Sequence, residues 1–226
     1  KLVLYTEAGK EIAVATTKAY SAQVALLSLI ALNLSYKNNN IDQKEIISLL
    51  EDVNKVPNYI EQLLNRKDEY IKIAKELKEH NDIFFIGRGV DYALAMEGSL
   101  KLKEISYSHS EAYAAGELKH GTISLIDEGT PVVAIVTLPD EEVRSKSISN
   151  IKEVKSRKAN VLYITNSEEV DEDTFYDNKI VIPKVHYLLQ PLLSVVPLQM
   201  IAYYLAKEKG CSIDKPKNLA KSVTVE

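Results

Sequence analysis

The stretch that decides the fold is residues 82–121, DIFFIGRGVDYALAMEGSLKLKEISYSHSEAYAAGELKHG. It begins with Ile83-Phe84-Phe85-Ile86, an apolar run of strand length, which Gly87-Arg88-Gly89 turns into a helix. A continuous apolar strand feeding a helix is the pattern of a parallel sheet covered on both faces. At about 100° per residue, Glu97, Lys101, Glu104 and Ser108 share one narrow strip of that helix. Leu94, Leu102 and Ile105 flank the strip on one side, and Met96, Leu100 and Tyr107 on the other. Ser99, Lys103 and Ser106 form a second polar strip, the natural solvent face. The Glu-Lys-Glu strip then has two readings. It is either a solvated face with an i,i+4 pair, or a set of ionisable groups held partly out of water for chemistry.

Working outward, residues 131–137 (PVVAIVT) and 161–165 read as further buried strands and 179–182 as a short one. Helices are expected over 141–157 and 189–209, the latter with Pro191 near its start, bent at Pro197 and ended by Gly210. Upstream, residues 2–5 read as a short strand and 17–35 as a helix capped by Thr16 or Thr17. Asp42 caps a helix to about residue 54, Pro57 opens another to 64, and 69–80 is a fourth. The fold class is α/β: a doubly wound, mostly parallel sheet flanked by helices, with ligands expected at the carboxyl ends of its strands. Residues 37–68 read as a helical connector, 69–210 as the main domain and 211–226 as a tail.

The chain has 226 residues, 46% hydrophobic and 27% charged, which is ordinary for a globular protein. A net charge of −4 with no basic stripe argues against nucleic acid as a partner. Residues 22–34 are only one core helix long, so no membrane span and no membrane partner are expected. The lone Cys211 forms no internal disulfide, which makes a reducing compartment the default. His80, His109 and His186 show no ligand spacing with Asp or Glu, so no metal and no cofactor are expected.

Three further features carry candidate chemistry. Gly87-Arg88-Gly89 is either a tight turn or a place where backbone N–H groups meet an anion. His120, before Gly121 in a loop, is either a surface histidine or a group suited to proton transfer near neutrality. In the tail, Leu219, Ala220, Val223 and Val225 are too apolar for a solvated terminus, so the tail is expected to pack back and carry Lys221 with it. Lys221 is then either an exposed ion-pair anchor or an amine nucleophile toward a carbonyl in an apolar surround. A carboxylate, a histidine and a lysine together suit moving a proton between adjacent sugar carbons.

The segments MEGSLKLKEISYSHSEAYAAGELKHG, NLAKSVTVE and AGKEIAVATTKAYSAQ resemble the isomerase region of the glutamine–fructose-6-phosphate aminotransferases. The resemblance implies a flavodoxin-like, SIS-type (sugar isomerase) fold, with residues 1–36 closing a first SIS half and 69–210 forming the second. It implies a cytoplasmic, homodimeric enzyme that makes glucosamine-6-phosphate from fructose-6-phosphate, with ammonia from a glutaminase domain of the same chain. By position, Glu104 matches the base moving a proton between C1 and C2, and Lys221 the Schiff-base lysine. His120 matches the ring-opening histidine that reaches a neighbouring subunit's site. Lys101, Val14 and Ala220 match sugar-binding positions. Glu97, on the same strip, is read as a supporting partner of Lys101. Two departures stand out: Thr122 where proline is common, and Lys217 where arginine is common. No S-x-S-G-x-T phosphate loop and no glutaminase cysteine occur here, so both are expected outside this stretch. The alternative is a sugar-phosphate-binding regulatory SIS module without catalysis.

Overall fold

The computed structural model of the protein describes residues 3–169 and 175–221. Its elements in chain order are α1 (Lys18–Lys37), α2 (Gln43–Leu64), α3 (Lys67–Leu77), β1 (Asp82–Gly87), α4 (Val90–Ser106) and β2 (His109–Ala114). Then come β3 (Pro131–Val136), α5 (Glu141–Lys155), β4 (Asn160–Thr165), β5 (Asn178–Val181) and α6 (Gln190–Glu208). The five strands form one sheet in the order β2-β1-β3-β4-β5, with every neighbouring pair parallel. That is the flavodoxin-like doubly wound order.

The sheet sorts its side chains by simple alternation. Ile83, Phe85, Val133, Ile135, Leu162 and Ile164 face one way, into a core shared with α3, α4 and α6. Phe84, Ile86, Val132, Ala134, Val161 and Tyr163 face the other way, against Ile151 and Val154 of α5. Covering both faces is why these strands read as unbroken apolar runs.

Three expectations change. Residues 3–5 form no strand; a strand needs a ladder to join, and the described edges of the sheet are β2 and β5. The helices expected on either side of Pro57 are one, α2, capped by Asp42 accepting from the Glu45 N–H at 2.8 Å. Its buried residues Leu49, Val56 and Leu63 recur at seven-residue spacing through the proline, and this stripe against α6 outweighs the lost hydrogen bond. Finally, β2 is a strand where the sequence reading named no element. Its sequence HSEAYA is polar and small, as an edge strand allows: only Ser110 is fully buried, with Ala112 and Tyr113 half-buried against the two cores.

By length and composition α1 is apolar enough to cross a membrane, contrary to the expectation of no such run. A single helix of this kind is weak ground for a span, and α1 packs on α6 and α2. Only Leu32 on it is buried, and Leu27 and Leu34 are exposed.

Candidate active site

Helix α4 holds the charged strip out of water. Lys101 is only 3% exposed, and its Nζ lies 2.5 Å from Glu104 Oε2 and 3.5 Å from Glu97 Oε1. Glu97 Oε1 is itself buried without a hydrogen bond. Burial pushes the Glu97 carboxyl above its usual range, with Lys101 pulling it back and the Glu104 charge adding to the rise. Tyr20 of α1 is pushed up by burial and by the Glu97 charge, which puts α1 beside the strip. Of the two readings, the shielded one fits: two carboxylates share one buried ammonium.

The expected solvent face holds at Lys103, which is exposed, and fails at its two serines. Ser99 and Ser106 are buried, while Met96 and Leu100 are exposed. The reason is β2, which runs alongside α4. Ser99 Oγ donates to the Ser110 carbonyl at 3.0 Å, and Ser110 Oγ donates to the Ser99 carbonyl at 2.9 Å. These reciprocal bonds satisfy polar groups a water-facing helix would leave to solvent. At its far end α4 stops at Tyr107, in the left-handed conformation with φ 56, and Ser108 is buried and taken by Lys209 Nζ at 2.7 Å.

The strip runs from Glu97 in the middle of α4 to Glu104 in its last turn, and only that last turn nears the amino ends of the strands. His109, which opens β2 just after the helix, pairs in register with Asp82, the first residue of β1. At the carboxyl edge, Gly87-Arg88-Gly89 serves as a tight turn. A Cβ on Gly87 would lie 2.4 Å from the Asp91 backbone, so only glycine fits. Arg88 is engaged by the buried Asn150, whose Oδ1 accepts from Nη2 at 2.7 Å and from Nε at 3.2 Å.

The tail is docked: Cys211 and Ile213 pack against the core and Pro216 is buried, and beyond them the contacts are polar. Tyr107 Oη accepts from the Lys217 N–H at 2.7 Å, with the Lys217 ammonium 4.4 Å from the Tyr107 ring centroid. Leu219 is exposed, as is Ala220; Val223 and Val225 lie outside the described residues. Lys221 donates to the Val14 carbonyl at 3.3 Å and to Thr16 Oγ1 at 3.2 Å, and ion-pairs with Glu11. The apolar surround expected for Lys221 is therefore absent, because the loop it lands on is lined by oxygen atoms. The contact does bring Val14, Ala220 and Lys221 together, and the tail reaches them by way of Tyr107, three residues beyond Glu104.

His120 ends a 3-10 turn, Leu118–His120, and is exposed; the buried Leu118 anchors that turn. Among the described residues no hydrogen bond or ion pair joins His120, Glu104 and Lys221 to one another. No cluster of three or more His, Cys, Asp or Glu side chains that could hold a metal ion occurs among them either.

Sequence reasoning missed Asp91. It is 3% exposed in the first turn of α4 and accepts from the Thr137 N–H at 2.7 Å and from Thr137 Oγ1 at 2.5 Å. Burial pushes its carboxyl upward against those hydrogen bonds. An aspartate two residues after a Gly-x-Gly turn was the available signal. Glu11 was missed for want of any periodic element around it.

Fold and strand order thus define a doubly wound, flavodoxin-like α/β domain. Residues 76–208 match the SIS domain family, and the chain belongs to it. Over 224 residues, 99% of the chain, it is 50% identical to the glutamine–fructose-6-phosphate aminotransferase of Caldanaerobacter subterraneus subsp. tengcongensis. It is 51% identical to the same-named enzyme of Symbiobacterium thermophilum. The chain spans 36% of the length of both relatives. Among solved structures, it resembles the C-terminal domain of glucosamine-fructose-6-phosphate aminotransferase from Francisella tularensis. There the identity is 34% and the TM-score 0.85, over 93% of this chain and 59% of that one.

Proposed function

We propose that this chain is the C-terminal isomerase part of a glutamine–fructose-6-phosphate aminotransferase, forming glucosamine-6-phosphate. The carrying observation is the shielded Glu97-Lys101-Glu104 strip in a chain that aligns along 99% of its length with enzymes of that name. The Lys221 ammonium gives up a proton to water, its amine attacks C2 of the open-chain ketose, and water leaves to give an imine. Ammonia from glutamine then displaces the lysine, leaving the imine of the sugar. Glu104 removes a proton from C1 and returns it to C2, so C1 ends as an aldehyde and C2 carries the amine. Overall, ketose and ammonia give amino sugar and water. Lys101 holds the Glu104 carboxylate in place beside the sugar through the 2.5 Å ion pair. Glu97 fixes Lys101 from the other side.

His120 opens the sugar ring, and its exposure suits delivery to a partner subunit's site in a homodimer. Val14 and Ala220 present backbone groups to the sugar. The enzyme works in the cytoplasm beside a glutaminase domain of the same chain, and residues 37–68 connect two SIS halves. The test is borohydride reduction of the full-length protein with fructose-6-phosphate, followed by peptide mass mapping. A hexitol-phosphate adduct on Lys221, absent in Lys221→Arg, is expected. An adduct on another lysine, or none, overturns the reading.

A further inference from the structure

The Lys221 ammonium is not simply resting on the surface. It has three oxygen partners in one short segment: Glu11 Oε2, the Val14 carbonyl and Thr16 Oγ1. An ammonium carries three N–H donors, so this set matches its full capacity. The carboxylate among the three is the one held most firmly. The Glu11 side chain is 16% exposed, against 43% for Lys221. Its second oxygen, Oε1, accepts from the Ala19 N–H at 3.3 Å, in the first turn of α1, where the helix end favours negative charge. The hydrogen bond from Lys221 holds the Glu11 carboxyl below its usual range, against the opposing effect of burial. A second tie lies close by: the Val14 N–H donates to the Asp214 carbonyl at 3.1 Å, so the chain leading to the tail is bound to the same loop.

An exposed ion pair between two mobile side chains is worth little, because both must be ordered to make it. Here one partner is already ordered by a helix end, and the other is a lysine whose flanking residues Leu219 and Ala220 are exposed. Position of the amine is therefore set from the loop side. We infer that Glu11 is a positioning residue for the reaction: it seats the Lys221 ammonium against the loop 11–16, where loss of one proton to water frees the amine for a carbonyl substrate. This rests on the reading of Lys221 as the imine-forming residue. Glu11 acts through Lys221 and does not itself touch the sugar.

The experiment compares the full-length protein with its Glu11→Gln variant, which keeps the shape and removes the charge. In the first arm, without sugar, an amine-acylating reagent is added and labelling of each lysine is followed by mass spectrometry. Lys221 is expected to label several-fold faster in Glu11→Gln while Lys101 and the α5 lysines label at unchanged rates. Equal Lys221 rates in the two proteins overturn the inference. In the second arm, borohydride trapping is measured against fructose-6-phosphate concentration. The saturating rate is expected to fall roughly tenfold, the scale of one lost charge-assisted hydrogen bond, with half-saturation unchanged. A shifted half-saturation with an unchanged saturating rate overturns it, as does faster trapping. If the unmodified protein traps no sugar, the imine reading fails, and the labelling arm still decides whether Glu11 seats the amine.

Discussion

Removing Lys101 should make the stability of this domain depend on pH in a way that identifies the strip. In Lys101→Met the aliphatic stem is kept, but Glu97 and Glu104 lose the cation they share at 3.5 and 2.5 Å. Taking one partner out of a buried ion pair costs about 3–5 kcal/mol, and Glu97, with its orphaned Oε1, has little water to turn to. It can escape by taking up a proton, which sets a ceiling. A carboxyl with an unfolded value near 4.3 costs about 3.7 kcal/mol to keep neutral at pH 7, and about 1 kcal/mol at pH 5. The sign follows from the direction of the shift. Burial already holds Glu97 above its usual range, and losing Lys101 raises it further. A raised carboxyl favours the folded state below its unfolded value, and that advantage is lost as pH rises through the folded value. Lys101→Met should therefore be destabilised by up to about 3–4 kcal/mol at pH 7 and by about 1 kcal/mol at pH 5. Urea unfolding of both proteins at the two pH values measures this. An equal deficit at both would mean that the strip is solvated and that the cost is one of packing alone.

Other predictions concern the frame. Asp91→Ala should cost about 2–4 kcal/mol, because the Thr137 N–H and hydroxyl are left buried without an acceptor; Asp91→Asn should cost less, and urea midpoints compare them. Tyr70 is fully buried, its hydroxyl has no hydrogen bond among the described residues, and burial pushes it up to about 12. Tyr70→Phe should therefore stabilise the fold by about 1–2 kcal/mol in the same assay, and a loss of stability would show that the hydroxyl has a partner.

How much of this could be read from residues alone depended on burial. Strands β1, β3 and β4 are covered on both faces, so their apolar runs announced them. Strand β2 sits at the edge and takes its stability from backbone pairing with β1 and from the Ser99–Ser110 exchange, neither of which leaves an apolar signature. Missing it turned Ser99 and Ser106 outward in the sequence reading. Helical spacing gathered Glu97, Lys101 and Glu104 correctly, because i,i+3 and i,i+4 neighbours must meet. It said nothing of Glu11, which meets Lys221 across 210 residues only because the tail folds back.

The central claim is that Glu104 moves the proton between C1 and C2. It is tested most directly by incubating full-length protein with fructose-6-phosphate in deuterated water and following exchange at C1 by NMR. Exchange is expected in the unmodified protein and should fall at least about a hundredfold, the scale of one acid–base group, in Glu104→Gln. Exchange persisting at the unmodified rate in Glu104→Gln would contradict the assignment.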